Sequence, residues 1–166
     1  MKITKIPVGY LESNCYVLEE DNKVIVIDPG DDYEKISRSL KNKDVIKVLI
    51  THYHPDHIGA LNHFEKELIL NNPKEQTYYF EPFTFEVIFT KGHTSDSVTY
   101  YFPKEHAMFT GDFLFKETIG RTDMPTGNME EMKKILKNIL ALVMKKCGGS
   151  VVKIITINVV STIKFS

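Results

Sequence analysis

THYHPDHIG, residues 51–59, places three histidines and one aspartate within the six positions 52 to 57. The run follows VIKVLIT (45–51), an apolar, β-branched stretch that reads as a strand whose end delivers the histidines. Residues two apart on an extended backbone project to the same side, so His52 and His54 point together. Asp56 and His57 fall where the chain turns into a helix and aim elsewhere. One cation held by His52 and His54 and a second held by Asp56 and His57 fits that divergence. Zinc accepts such nitrogen and oxygen donors at about 2.0–2.2 Å, usually four in all. A polar surface turn is the ordinary reading of a single histidine. It does not account for four donors directly after a buried-type strand.

Neighbouring side chains rarely close a metal cage alone, so the remaining donors should come from other strand ends. His93 in KGHTSDS (91–97) follows the apolar run FEVIFT (85–90), and Asp112 in MFTGDFLF (108–115) follows HAMFT (106–110). Both lie where an α/β architecture gathers its functional groups, at the carboxyl ends of strands.

The rest of the chain sets the frame. With 166 residues, 42% hydrophobic and 26% charged, it is the size of one ordinary domain with a core of its own. We read residues 1–166 as a single domain. A formal net charge of −1 gives no basic field for nucleic acid and no strong attraction to a membrane. The two cysteines, Cys15 and Cys147, make no disulfide framework and point to a reducing, cytoplasmic setting. MKITKIPVGY (1–10) is too polar for a signal peptide, and VVKIITINVV (151–160) is interrupted by Lys153 and too short to span a bilayer, which needs roughly 20 residues.

Short β-rich runs open the chain: KITKI (2–6), NCYVLEE (14–20) and KVIVID (23–28), with Asp21-Asn22 as the hairpin turn. YEKISRSLKN (33–42) has Tyr33, Ile36 and Leu40 at helical spacing. DHIGALNHFEKEL (56–68) reads as a helix, residues 78–90 and 97–102 as strands, and HAMFTGD (106–112) as a strand ending at the aspartate. Residues 113–127 form a long loop. Asn128 with Glu131 three residues on resembles a capping box, and Met132, Ile135, Leu136, Ile139, Leu140 and Val143 line one helical face. The tail after Gly148-Gly149 is β-like and must find a sheet edge to pair with. Helix and strand patterns mix throughout, so the class is α/β or α+β.

These motifs together (SNCYVLEE with VIVIDPG, THYHPDHIGA, GHTSDS and TGDFLFKETIGRTDMPTGN) resemble the metallo-β-lactamase superfamily, and within it the glyoxalase II group of hydroxyacylglutathione hydrolases and their short bacterial relatives. The resemblance covers about residues 1–143. It implies an α+β fold, an αββα sandwich with a two-metal site at one edge. By motif position, His52, His54 and His93 would hold the first zinc ion, Asp56 and His57 the second, and Asp112 would bridge them. Iron and manganese are the other metals these donors admit. Asp28 matches an early aspartate that buttresses the ligand loop from behind without being a ligand.

The activity implied is hydrolysis of a small-molecule thioester such as S-D-lactoylglutathione by a metal-bound hydroxide, which Asp56 would orient. A thiolate leaves readily, so little general-acid help is needed. Relatives specific for glutathione thioesters carry an additional helical domain, for which this chain has no room. Arg121 is a candidate for a substrate carboxylate, although an Arg121–Asp123 clasp within the loop is the more ordinary reading. Lys116 lies in the same loop. His63 and His106 read as surface residues, and Tyr53 as a packing residue.

The tail departs from the pattern. The family expects one more histidine in a GHG-like turn near the C-terminus, whereas the sixth and last histidine here is His106. Gly148-Gly149 is the nearest remnant. The second metal would then keep only Asp56, His57 and Asp112, with Cys147 a poor substitute, and would be more open and weaker. Two further readings follow: a mononuclear iron dioxygenase acting on glutathione persulfide, and a metal-binding protein with impaired or no turnover.

Overall fold

The structure, a computed structural model, describes residues 1–115, 118–147, 152–155 and 160–163. Its contacts divide the chain into two compact units, one of residues 1–74 and 78–84, the other of residues 75–77 and 85–166.

The first unit is built on a sheet in the order β1-β2-β3-β4: β1 (Lys2–Val8), β2 (Ser13–Glu20), β3 (Lys23–Ile27) and β4 (Asp44–Leu49). The β2–β3 hairpin turns at Asp21-Asn22 as expected. Both residues have positive φ, 50° and 66°, the left-handed pair that a tight two-residue turn requires. β3 and β4 run parallel, and a parallel pair needs a crossover, which α1 (Tyr33–Leu40) supplies. Its Ile36 is fully buried with Val8, Cys15, Val26, Val48, Ile50, Ala60 and Phe64, and Tyr33 and Leu40 pack at the margin, as their spacing predicts. Cys15 is free and buried. Burial first, and the Asp28 charge second, push its thiol well above the usual range, so it stays protonated and unreactive.

The helix expected over 56–68 is replaced by three short pieces: α2 (Pro55–Ile58) and two 3-10 turns, Leu61–His63 and Lys66–Leu68. The cause lies outside the segment. The Ala60 amide, which would continue the helix by bonding back to Asp56, donates instead to the Pro29 carbonyl at 2.9 Å. Gly30 and Gly59 make this approach possible. A Cβ on Gly30 would lie 1.8 Å from the Asp56 carbonyl oxygen, and one on Gly59 would lie 2.2 Å from the Gly30 oxygen. The obstacle in each case is backbone, which cannot swing aside. A Gly30→Ala substitution is therefore expected to cost about 3 kcal/mol, read as a lower urea midpoint.

The second sheet has the order β10-β9-β8-β7-β6-β5. The 78–90 run folds as two strands, β5 (Thr77–Phe80) and β6 (Phe83–Phe89), split at Glu81-Pro82. β7 (Val98–Phe102) and β8 (Ala107–Phe109) follow, and Asp112 sits just past β8 in a 3-10 turn, Gly111–Phe113. In the second unit, Phe85 packs against Tyr100 and Phe102, and Phe102 against Phe109. α3 (Met129–Cys147) buries Met132 and Ile139 against Tyr101, Met108 and Phe113. The Leu140 and Val143 side chains lie outside the described residues.

Asn128 caps α3 with its side-chain oxygen, which accepts from the amides of Glu130 and Glu131, both at 3.0 Å. The reciprocal half of the box is absent because the Asn128 amide donates to the Gly92 carbonyl at 2.8 Å. The tail does pair with a sheet edge: β9 (Val152–Ile155) adds to β8 in parallel and β10 (Val160–Ile163) to β9 antiparallel. Gly148-Gly149 lies outside the described residues. No helix among those described is long and apolar enough to cross a membrane.

Candidate metal centre

In the first unit the donors are organised by Asp28, which follows β3 with φ of 52° and is 3% exposed. One carboxylate oxygen accepts the Thr51 amide at 2.7 Å. The other accepts the Thr51 hydroxyl at 2.6 Å and His57 Nδ1 at 3.0 Å. A carboxylate only accepts, so the single Thr51 hydroxyl proton goes to Asp28. The same hydroxyl then accepts from His52 Nδ1, 3.1 Å away. Asp28 thereby fixes two tautomers, that of His57 directly and that of His52 through Thr51. Both rings carry their proton on Nδ1 and present Nε2 as a lone-pair donor, the form a metal needs.

These two rings, each 1% exposed, lie 4.1 Å apart between centroids. His52 Nε2 is 3.1 Å from His54 Nδ1, so the shared direction expected of His52 and His54 is realised. Asp56, in the first turn of α2, sets a carboxylate oxygen 3.5 Å from His57 Nε2. That oxygen also accepts the Ser13 hydroxyl at 2.6 Å. All four donors of the sequence run, with Asp28 behind them, come together in this unit.

The second unit holds a smaller arrangement. His93 Nδ1 lies 2.7 Å from the Arg121 carbonyl, which can only accept, so Nδ1 carries the proton and Nε2 the lone pair. That nitrogen faces Asp112 at 3.7 Å. Gly120 lets the loop close down here, because a Cβ at that position would sit 1.7 Å from the Asp112 carbonyl oxygen and 3.1 Å from His93 Nδ1.

The Arg121 side chain makes the loop clasp weighed in the sequence, donating from Nε and Nη2 to the two Asp123 oxygens, each at 2.8 Å. His106 is exposed in the turn before β8, and His63 is exposed and stacked on Tyr33, with centroids 4.1 Å apart. Tyr53, expected to pack, is 46% exposed, as alternation along the extended segment between His52 and His54 dictates. Lys116 and the Cys147 side chain lie outside the described residues. Sequence reasoning missed Thr51, Ser13, Gly120 and the Arg121 carbonyl. The available signal was adjacency, a hydroxyl residue immediately before the first histidine.

Imidazoles locked with Nε2 available, beside carboxylate oxygens, are a donor set that fits a divalent first-row cation such as zinc, iron or manganese. The comparisons with known proteins agree. The model of the metallo-beta-lactamase superfamily matches residues 8–89 and 71–147. The probable metallo-hydrolase YqgX of Bacillus subtilis is 31% identical over 80% of this chain and 80% of its own length. Hydroxyacylglutathione hydrolase GloC of Haemophilus influenzae is 29% identical over 80% and 81%. Among solved structures, the BLEG-1 B3 metallo-beta-lactamase superposes with a TM-score of 0.77 at 28% identity, covering 86% of this chain and 87% of its own. The α+β fold, the histidine turn and these relatives meet in one conclusion: the chain belongs to the metallo-β-lactamase superfamily of divalent-metal hydrolases.

Proposed function

We propose that the chain is a metal-dependent thioester hydrolase of the glyoxalase II type, acting on a small acyl-thioester such as S-D-lactoylglutathione. The tautomer lock carries this reading: Asp28, Thr51 and the Arg121 carbonyl hold His52, His57 and His93 as lone-pair donors through Nε2. In the proposal, His52, His54 and His93 hold one zinc ion, Asp56 and His57 hold a second, and Asp112 serves both. The relationship to a hydroxyacylglutathione hydrolase supports the substrate class.

Two divalent cations bound there would lower the pKa of a shared water toward neutrality and polarise the substrate carbonyl. Asp56 would accept a hydrogen bond from the attacking water and orient it toward the substrate carbonyl. The departing thiolate is stable enough in water to leave without a proton donor, so no further acid is assigned. Among the described residues this reading gives the second ion three protein donors, Asp56, His57 and Asp112, one fewer than the first, so that ion is held more loosely.

The test is metal analysis of protein purified without added metal, alongside hydrolysis of S-D-lactoylglutathione before and after chelation. Hydrolysis lost to the chelator and restored by zinc supports the proposal. One tightly held ion with no hydrolysis would make the chain a metal-binding protein without turnover. Oxygen uptake with glutathione persulfide would make it a dioxygenase.

Arg121 allows a sharper check. Its hydrogen bond, more than its charge, draws the Asp123 carboxyl down to about 2. A depressed acid pKa means that the clasp is intact above the ordinary carboxylate range and is lost only as pH falls toward 2. It is closed at neutral pH, so Arg121→Ala is expected to leave KM within about threefold, the small effect of an exposed pair. A rise of tenfold or more would assign Arg121 to a substrate carboxylate.

A further inference from the structure

We propose that Ser13 is a positioning residue for Asp56, setting which carboxylate oxygen faces the loosely held ion. This rests on the reading of Asp56 as a donor to that ion. The Ser13 hydroxyl donates to Asp56 Oδ2 at 2.6 Å, across 43 residues of sequence. That length is typical of a charge-assisted O–H···O⁻ bond, roughly 2.5–2.7 Å. Ser13 is 3% exposed and is the first residue of β2, paired with the buried Val8 of β1. The donor is therefore mounted on the sheet and not on a mobile loop.

Asp56, by contrast, sits in a helix of one turn, and its side chain is 29% exposed. The contact with Gly30 fixes its main chain but leaves rotation about Cβ–Cγ open. The Ser13 bond closes that freedom. The oxygen it holds is the same one that stands 3.5 Å from His57 Nε2, so Ser13 aligns the two donors assigned to the weaker ion. A hydroxyl placed only to satisfy itself could bond any nearby carbonyl. This one selects a ligand carboxylate, and such supporting bonds typically contribute 10–100-fold to metal affinity.

The experiment titrates metal-stripped protein with zinc against a chromophoric chelator, for the wild type, Ser13→Ala, Ser13→Thr, Ser13→Val and Asp56→Asn. Urea unfolding of each stripped protein is recorded in parallel. Threonine and valine share an outline and differ in the hydroxyl, so that pair isolates the bond even if alanine destabilises the chain. The expected result is a loss of about 10–100-fold in affinity for the weaker ion in the alanine and valine variants. The tighter ion should be unaffected, and threonine should restore the wild-type value. Equal zinc binding by the threonine and valine variants, with Asp56→Asn still weakened, overturns the role of Ser13 alone. Unchanged binding in Asp56→Asn overturns the assignment of Asp56 on which it stands.

Discussion

The His52→Ala variant is expected to fold, to lose its more tightly held cation, and to hydrolyse S-D-lactoylglutathione roughly 10³-fold more slowly than wild type, the equivalent of about 4 kcal/mol of transition-state stabilisation. The fold should survive because, among the bonds described, the substitution strands no fully buried donor. Thr51 keeps its amide and hydroxyl protons on Asp28 and loses only a bond its oxygen accepts. The cation should not survive, because His52 lies among the other donors, 3.1 Å from a nitrogen of His54 and with its ring tilted against that of His57 at 4.1 Å between centroids. Elemental analysis and turnover are measured together, with His63→Ala as the control, since that exposed ring stacks only on Tyr33 among the contacts described. Unchanged metal content and turnover in His52→Ala would sink the proposed function.

Asp28→Asn should act mainly on stability and on metal affinity. Asparagine tolerates the left-handed backbone that Asp28 adopts at φ 52°, so the change tests the carboxylate rather than the turn. Asp28 accepts three hydrogen bonds in a buried pocket. An amide has one accepting oxygen and presents an NH2 group where donors already converge. At least one buried donor is left facing a donor, at a cost of about 2–4 kcal/mol. For a chain of this length that lowers the unfolding midpoint by roughly 5–15 °C. The freed imidazoles can also flip tautomer, so metal affinity should fall about 10–100-fold. Thermal unfolding in the presence of chelator separates the two effects. A midpoint within a degree of wild type would show that the three bonds do not matter.

How much of this could be read beforehand depends on what each residue announces. Histidine is scarce, and a cluster of it ending a strand has few ordinary explanations, so His52, His54 and His57 were legible together with their strand. Asn128 was legible as a cap because the relevant hydrogen bonds are local. The break after Ile58 was not. Ile58, Leu61, Phe64 and Leu68 suit a continuous helix and a chain of short turns equally well, and the deciding bond, from Ala60 to Pro29, belongs to another loop. Pro82 within 78–90 did carry a warning that the run was two strands. Thr51 gave only its place before His52, and Ser13 gave no signal, since hydroxyl residues are common and its partner lies 43 residues away.

The backbone contact at Gly30 and Gly59 has a kinetic meaning. Two loops touch main chain to main chain beneath the turn, so its imidazoles and carboxylate stand assembled whenever the first unit is folded. For these donors, capture of a divalent cation would be an encounter with a preassembled receptor and not a search by a flexible chain. Loading would then be paced by collision and by the shedding of the ion's hydration shell, and removal of the ion would leave the receptor's shape for the next arrival.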